Sequence, residues 1–209
     1  MKIKMSKSET AFTIKPSDKQ IKALTFMECV TSIEGLITHI EAGKSFTPAT
    51  FYDNMRNGAK FKSQQLFAVD IDGTLSLEQI NSICDDYGFT YNFIYPTFNH
   101  TETSPRYRLV FIMDGEVHSK EAVVGINKTL VKLFDGKADK ACVDAARIFY
   151  GTNKKAIIGD LHQRLDIVEL INKINFKLYL KDNKQTRSCF QLKNLAKIVK
   201  DKIYEKLWK

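Results

Sequence analysis

The segment Leu66-Phe67-Ala68-Val69-Asp70-Ile71-Asp72-Gly73-Thr74 decides how the rest of the chain is read. A short apolar run closed by Gly73-Thr74 predicts a buried strand and its exit turn. Side chains alternate across a strand, so Asp70 and Asp72 share one face. Two carboxylates side by side at the end of so apolar a strand repel each other unless a cation lies between them. Mg²⁺ or Mn²⁺ suits the position, being a hard ion that prefers oxygen ligands and substrate phosphates. One acid could instead cap the following helix while the other is solvated. The cost of holding carboxylates near apolar surface favours the cation.

Working outward, the period of the pattern changes on both sides. Residues 1–20 read as a loose lead-in. Apolar residues at Met27, Val30, Ile33, Leu36, Ile37 and Ile40 predict a helix that stops before Gly43. Phe46 to Arg56 predicts a second short helix, opened by Thr47-Pro48. Beyond the central strand, the pattern predicts a helix over Leu75 to Tyr87, strands over Tyr91 to Tyr95 and Arg106 to Met113, a helix over Ser119 to Phe134, and a short strand over Ala146 to Tyr150. Leu192, Leu195, Val199, Ile203 and Leu207 form the stripe of a last helix, with Lys193, Lys197 and Lys200 beside or opposite it. Mixed strands and helices without strict alternation predict an α+β domain over residues 1–165, with a basic, largely helical extension over 166–209.

The chain has 209 residues, 44% of them hydrophobic and 27% charged, which excludes wholesale disorder. No apolar run reaches the ~18–20 residues of a membrane span, and no secretory leader is read at the amino terminus. The four cysteines, Cys29, Cys84, Cys142 and Cys189, form no C-x-x-C pair, so free thiols in a reducing cytoplasm are expected rather than a zinc site. The net charge is +8, and all of that excess falls between Ile171 and Lys209, where 11 basic residues face 3 acids. A basic tail suits a polyanion such as nucleic acid, although a solvated lysine face has the same composition.

Two enzyme classes place paired acids at a strand end. Asp70-Ile71-Asp72-Gly73-Thr74-Leu75 resembles the opening motif of haloacid-dehalogenase-like phosphatases, in which the first Asp would be the phosphoryl nucleophile and the second a general acid. Gly159-Asp160 with Asp166 resembles that family's late metal-binding element. In that family, however, the motif lies close to the start of its domain, whereas 69 residues precede it here.

The second class is two-metal nucleotidyl transfer. Phe93 to Thr101, followed by Ser104-Pro105-Arg106-Tyr107-Arg108-Leu109-Val110-Phe111, resembles the second motif region of archaeo-eukaryotic-type primase-polymerases of plasmids and phages. Val143-Asp144-Ala145-Ala146-Arg147 resembles their third motif, and Asp70 with Asp72 their first. The three occur in the family's order across residues 66–155. One departure stands out: the family carries Ser or another small residue two before the motif His, and here that position is Phe98.

The resemblance implies a catalytic core built from an RNA-recognition-motif-like sheet unit and a second α/β unit. It implies Asp70, Asp72 and Asp144 as catalytic ligands of two divalent ions, Mg²⁺ or Mn²⁺, held about 3.5–4 Å apart. Asp139, five residues before Asp144, is the other candidate for the third carboxylate. His100, Arg106, Arg108 and Arg147 would bind the nucleoside triphosphate, Arg106 and Arg108 from one face of a strand. Arg147 could equally form a structural ion pair with Asp144 or Asp139. The partners implied are a single-stranded DNA template, nucleoside triphosphates and a replicative helicase, in the replication of a plasmid, phage or mobile element. Arg56, Lys60 and Lys62 among Phe46, Phe51, Tyr52 and Phe61 could hold the template, or these aromatics could be core. The competing readings are the phosphatase, with Asp70 as nucleophile, and a non-catalytic nucleic-acid-binding replication factor.

Overall fold

Ile3 and Met5 alternate with lysines near the amino terminus, and this period of two makes a strand, β1 (Lys2–Ala11), with both apolar side chains fully buried. The computed structural model describes residues 2–73 and 75–182. The loose lead-in read over residues 1–20 is therefore ordered strand through Ala11. A Ser17–Gln20 capping box then opens a short helix, α1 (Asp18–Lys22). The helix read from Met27 starts six residues later. Its first part is β2 (Met27–Ser32), antiparallel to β1, and α2 (Ile33–Glu41) follows once Ser32 accepts the Gly35 N–H. Ile33, Leu36 and Ile40 turn its apolar stripe inward.

The helix read over Phe46 to Arg56 is replaced by two strands, β3 (Lys44–Thr47) and β4 (Ala49–Phe51). Phe46, Thr47, Thr50 and Phe51 are aromatic or β-branched and fit a pleated, buried surface, and Pro48 separates the strands rather than starting a helix. β3 pairs with β1, giving a three-stranded sheet of order β2-β1-β3.

The second sheet carries the apolar segment of residues 66–72. β5 (Phe61–Asp72) extends the predicted strand by five residues at its start. It is followed by α3 (Leu77–Asp86), capped by a Ser76–Gln79 box, then β6 (Phe93–Pro96), β7 (Arg106–Val117), α4 (Lys120–Leu133), β8 (Ile157–Ile158) and α5 (Ile167–Asp182). The strand order is β4-β5-β7-β6-β8, antiparallel throughout. Leu66 to Val69 and Ile71 of β5 pack with Leu109 to Ile112 of β7, none above 2% exposed, and α4 covers them with Val123, Ile126 and Leu130. Burying such side chains contributes roughly 1.5–3 kcal/mol each, so the two strands are the anchor of the fold.

The strand read over Ala146 to Tyr150 is reduced to a single bridge, Phe149 to Phe46. Ile167, Leu170, Ile171 and Ile174 of α5 join the same core. The lysine-rich helix over Leu192 to Leu207 and Cys189 lie outside the described residues. Cys29, Cys84 and Cys142 are free thiols. Among the described residues no helix is long and apolar enough to cross a membrane.

Candidate active site

Strand register places the site. Asp70 lies opposite Arg108 and Asp72 opposite Arg106 across β5 and β7, and Tyr95 of β6 lies opposite Arg108 on the other side. A one-residue slip would turn all of these to the other face, but the apolar runs on both strands forbid it. Asp70 is 5% exposed, and so is Arg108. The guanidinium grips both carboxylate oxygens, Nε on Oδ1 and Nη2 on Oδ2. Its Nη1 donates to the Tyr95 hydroxyl at 3.0 Å and the Tyr150 carbonyl at 2.6 Å, and its carbon lies over the Tyr95 and Phe149 rings. Four of the five N–H donors of the buried Arg108 fork are thus taken. The Asp70 charge beside it pushes its pKa upward despite desolvation, and burial drives the Tyr95 hydroxyl upward as well.

The third acid comes from the chain after α4. A reversal at Asp135-Gly136, both with positive φ, lays Ala138 against Ile71 and lets the Asp139 N–H donate to the Asp70 carbonyl at 2.9 Å. Asp139 Oδ1 then caps the following turn at Ala141, while Oδ2 accepts Arg147 Nη2 at 2.7 Å. Arg147 Nη2 also lies 3.6 Å from Asp70 Oδ2. Asp144 is placed differently. Its side chain is exposed, its Oδ1 accepts the Ala146 N–H, and it does not line the cleft. Of the two candidates for the third carboxylate, Asp139 is the one brought to Asp70.

Asp70, Asp72, Asp139, Arg106, Arg108 and Arg147 line a cleft of about 160 Å³ together with Lys15, Thr97, Phe98 and Asn99. Asp72 stands half exposed at its mouth, 3.2 Å from Arg106. Three acids thus face four cations. Each arginine is matched to an acid, whereas Lys15 has no carboxylate partner among the described residues. His100 is brought near but not in: its Nδ1 accepts the Arg106 N–H at 3.1 Å and its ring tilts against Tyr107. Burial, and then the Lys154 ammonium, hold its pKa below the ordinary histidine value.

The donor set bears on a divalent ion. One ligand atom each of Asp70, Asp139 and Cys142 lie within 4.8 Å of one another. Burial, with the nearby Asp70 charge, pushes the Cys142 thiol up to about 12, and its sulfur accepts the Asp70 N–H. A protonated sulfur is a poor ligand for a hard ion. The oxygen donors that remain are Asp139, the lone pairs of Asp70 not used by Arg108, and Asp72 one pleat further along. This set fits Mg²⁺ or Mn²⁺.

Other residues singled out in the sequence lie outside the cleft. Arg56 donates to the Ala146 carbonyl, Lys60 pairs with Asp53 and Lys62 with Glu28, while Phe46, Phe51 and Phe61 are buried. Only Tyr52 of that group is exposed. The phosphatase elements do not assemble: Asp160 caps a turn at His162 and Gln163, Asp166 caps the start of α5, and neither lines the cleft. Sequence reasoning did not find Lys15, Tyr95, the Tyr150 carbonyl or Lys154, because each enters only through strand register or loop placement.

No protein-family model matches the chain, and no curated protein matches it. Among solved structures, the fold is similar to that of the AEP domain of the cyanophage S-2L primase-polymerase, with a TM-score of 0.52 and 11% sequence identity, covering 81% of this chain and 88% of that one. The α+β fold, two antiparallel sheets with helices packed on them, is thus similar to that of a primase-polymerase AEP domain.

Proposed function

We propose that this protein is a template-directed nucleotidyltransferase, a primase-polymerase that makes or extends primers on single-stranded DNA. The observation that carries the reading is the convergence of Asp70, Asp72 and Asp139 with Arg106, Arg108 and Arg147 in one cleft, on a fold shared with a phage primase-polymerase domain. In this reading Asp139, not Asp144, completes the acidic set.

Asp72, Asp139 and the free lone pairs of Asp70 would hold Mg²⁺ or Mn²⁺. Such an ion polarises a phosphoryl oxygen and makes a bound hydroxyl a better nucleophile at neutral pH. The protein's own groups do the rest. Arg108 fixes the Asp70 carboxylate so that it cannot rotate away. Arg106 and Lys15, at the open side, offer donors to an anionic triphosphate. Arg147 lies between Asp70 and Asp139 and prevents their mutual repulsion from splaying the floor of the site. His100 stands behind Arg106 and orders the loop that carries it, a more indirect part than phosphate donation.

One observation favours a second reading. Asp70 is already neutralised by Arg108, an arrangement that would also serve a nucleic-acid-binding protein keeping the fold without turnover. Incubation with labelled nucleotides and single-stranded DNA, with and without an annealed primer, separates the two. The enzyme incorporates label, and Asp72→Asn and Asp139→Asn stop it. The binding protein retains DNA and incorporates nothing.

A further inference from the structure

The loop joining β6 to β7 forms one wall of the cleft through Thr97, Phe98 and Asn99. Lys154 Nζ donates to three carbonyls of that loop, Thr97 at 2.9 Å, Phe98 at 3.1 Å and His100 at 2.9 Å. A lysine ammonium has three donors, so this one is saturated by a single loop. It makes no ion pair among the described residues. Three carbonyl dipoles aimed at one point would repel one another without a cation there, so the loop's path depends on this side chain.

The other end of Lys154 is fixed. Its N–H donates to Thr152 Oγ1 at 3.2 Å. Thr152 is fully buried, donates to the Ile40 carbonyl and accepts the Gly43 N–H. The same stretch brings Arg147 to Asp70 and Asp139, and the Tyr150 carbonyl to Arg108. One segment, residues 147–154, thus grips both the acidic floor and the opposing wall.

We infer that Lys154 is a positioning residue that sets the width of the nucleotide cleft by holding the Thr97–Asn99 wall against this segment. The inference rests on reading the cleft as a nucleotide site. A merely structural lysine would stabilise the loop without changing how substrate binds. A misplaced wall instead weakens binding of the incoming nucleotide, and displacements near 1 Å can cost ~10²-fold in rate.

The test uses Lys154→Met and Lys154→Arg in the full chain. Lys154→Met is expected to raise the nucleotide KM on the order of tenfold or more, with a smaller change in kcat. Lys154→Arg, whose planar fork cannot reproduce the tripod, is expected to fall between the two. A second readout needs no turnover. The charged groups facing His100 are Lys154 and Glu102, and the Tyr107 ring lies against it. Ring titration by NMR should show His100 protonating at higher pH in Lys154→Met than in the parent. A parental KM in Lys154→Met would overturn the inference whatever the His100 titration, since loss of the Lys154 charge alone raises the imidazole pKa. If Lys154→Met fails to fold, Lys154→Arg decides alone: a raised KM at unchanged melting temperature supports the role, and an unchanged KM overturns it. A parent protein that incorporates no nucleotide refutes the proposed function, and amide hydrogen exchange over residues 97–101, faster in Lys154→Met than in the parent if Lys154 holds the loop and unchanged if it does not, then decides this inference.

Discussion

Asp70 on β5 and Arg108 on β7 are direct cross-strand partners, and Arg108 grips both carboxylate oxygens where neither side chain exceeds 7% exposure. Two residues along, Asp72 and Arg106 repeat the pairing at 50% and 36% exposure. The same D-x-D spacing therefore yields one acid locked into the protein and one open to solvent. The two should respond differently to mutation.

Removing one partner of the buried pair leaves the other charged and unpaired. Asp70→Ala and Arg108→Met are each expected to lower stability by about 3–5 kcal/mol. The double variant Asp70→Leu/Arg108→Met should recover more than half of the summed loss. Urea unfolding of the four proteins measures this directly. Full additivity would show that the pair is not coupled.

Metal affinity should separate the two candidates for the third carboxylate. Asp139→Asn and Asp72→Asn are expected to weaken Mn²⁺ binding at least tenfold in a calorimetric titration. Asp144→Asn, which touches only a turn, should bind as the parent does and cost no more than about 1 kcal/mol of stability. Loss of binding in Asp144→Asn with retention in Asp139→Asn would reverse the assignment.

How much of this was visible beforehand follows from which forces are local. The apolar run around Asp70, the alternation from Arg106 and the helical stripe of α4 are written in neighbouring residues, and each element appears where its period predicts. β1 was missed although Ile3 and Met5 alternate, because two apolar residues among lysines and serines are a thin signal. The helix read over Phe46 to Arg56 failed because Pro at a helix start is also Pro between strands, and pairing with β1 and β5 decided the matter. At the site, the shared face of Asp70 and Asp72 and that of Arg106 and Arg108 follow from pleating alone. That Arg108 meets Asp70 depends on register. That Asp139 rather than Asp144 reaches them depends on the reversal at Asp135-Gly136. Neither is encoded over a short window.

Acid should loosen the fold before the carboxylates titrate. His39 is buried with Nε2 3.1 Å from the Ser45 carbonyl, and burial lowers its pKa; His100 is lowered by burial and by Lys154. A histidine whose folded pKa lies below the unfolded value of about 6.5 binds fewer protons folded than unfolded, so stability rises with pH through that window and is lost as pH falls below it. The urea midpoint should therefore be lower at pH 5.5 than at pH 7.5. His39→Gln, which keeps an N–H donor without titrating, should show a smaller drop. An equal drop would remove His39 from the account.

Gly151 sits where a Cβ would come within 2.6 Å of the backbone at Gly43 and Lys44. Neither can yield without moving the segment that carries Arg147, Tyr150 and Lys154. Gly151→Ala is expected to lose about 1–3 kcal/mol by overpacking and to lower nucleotide incorporation beyond what the stability loss explains. Melting temperature and incorporation rate measured on the same preparation check both.

The central claim is tested most directly by asking whether the template dictates the product. Homopolymer single-stranded templates with annealed primers are given all four labelled nucleotides and Mn²⁺ or Mg²⁺. The account predicts incorporation of the complementary nucleotide only, lost by roughly a thousandfold in Asp72→Asn and Asp139→Asn, since metal-held charge stabilisation is worth several kcal/mol, and retained in Asp144→Asn. No incorporation by the folded parent, or incorporation indifferent to Asp72 and Asp139, would contradict it.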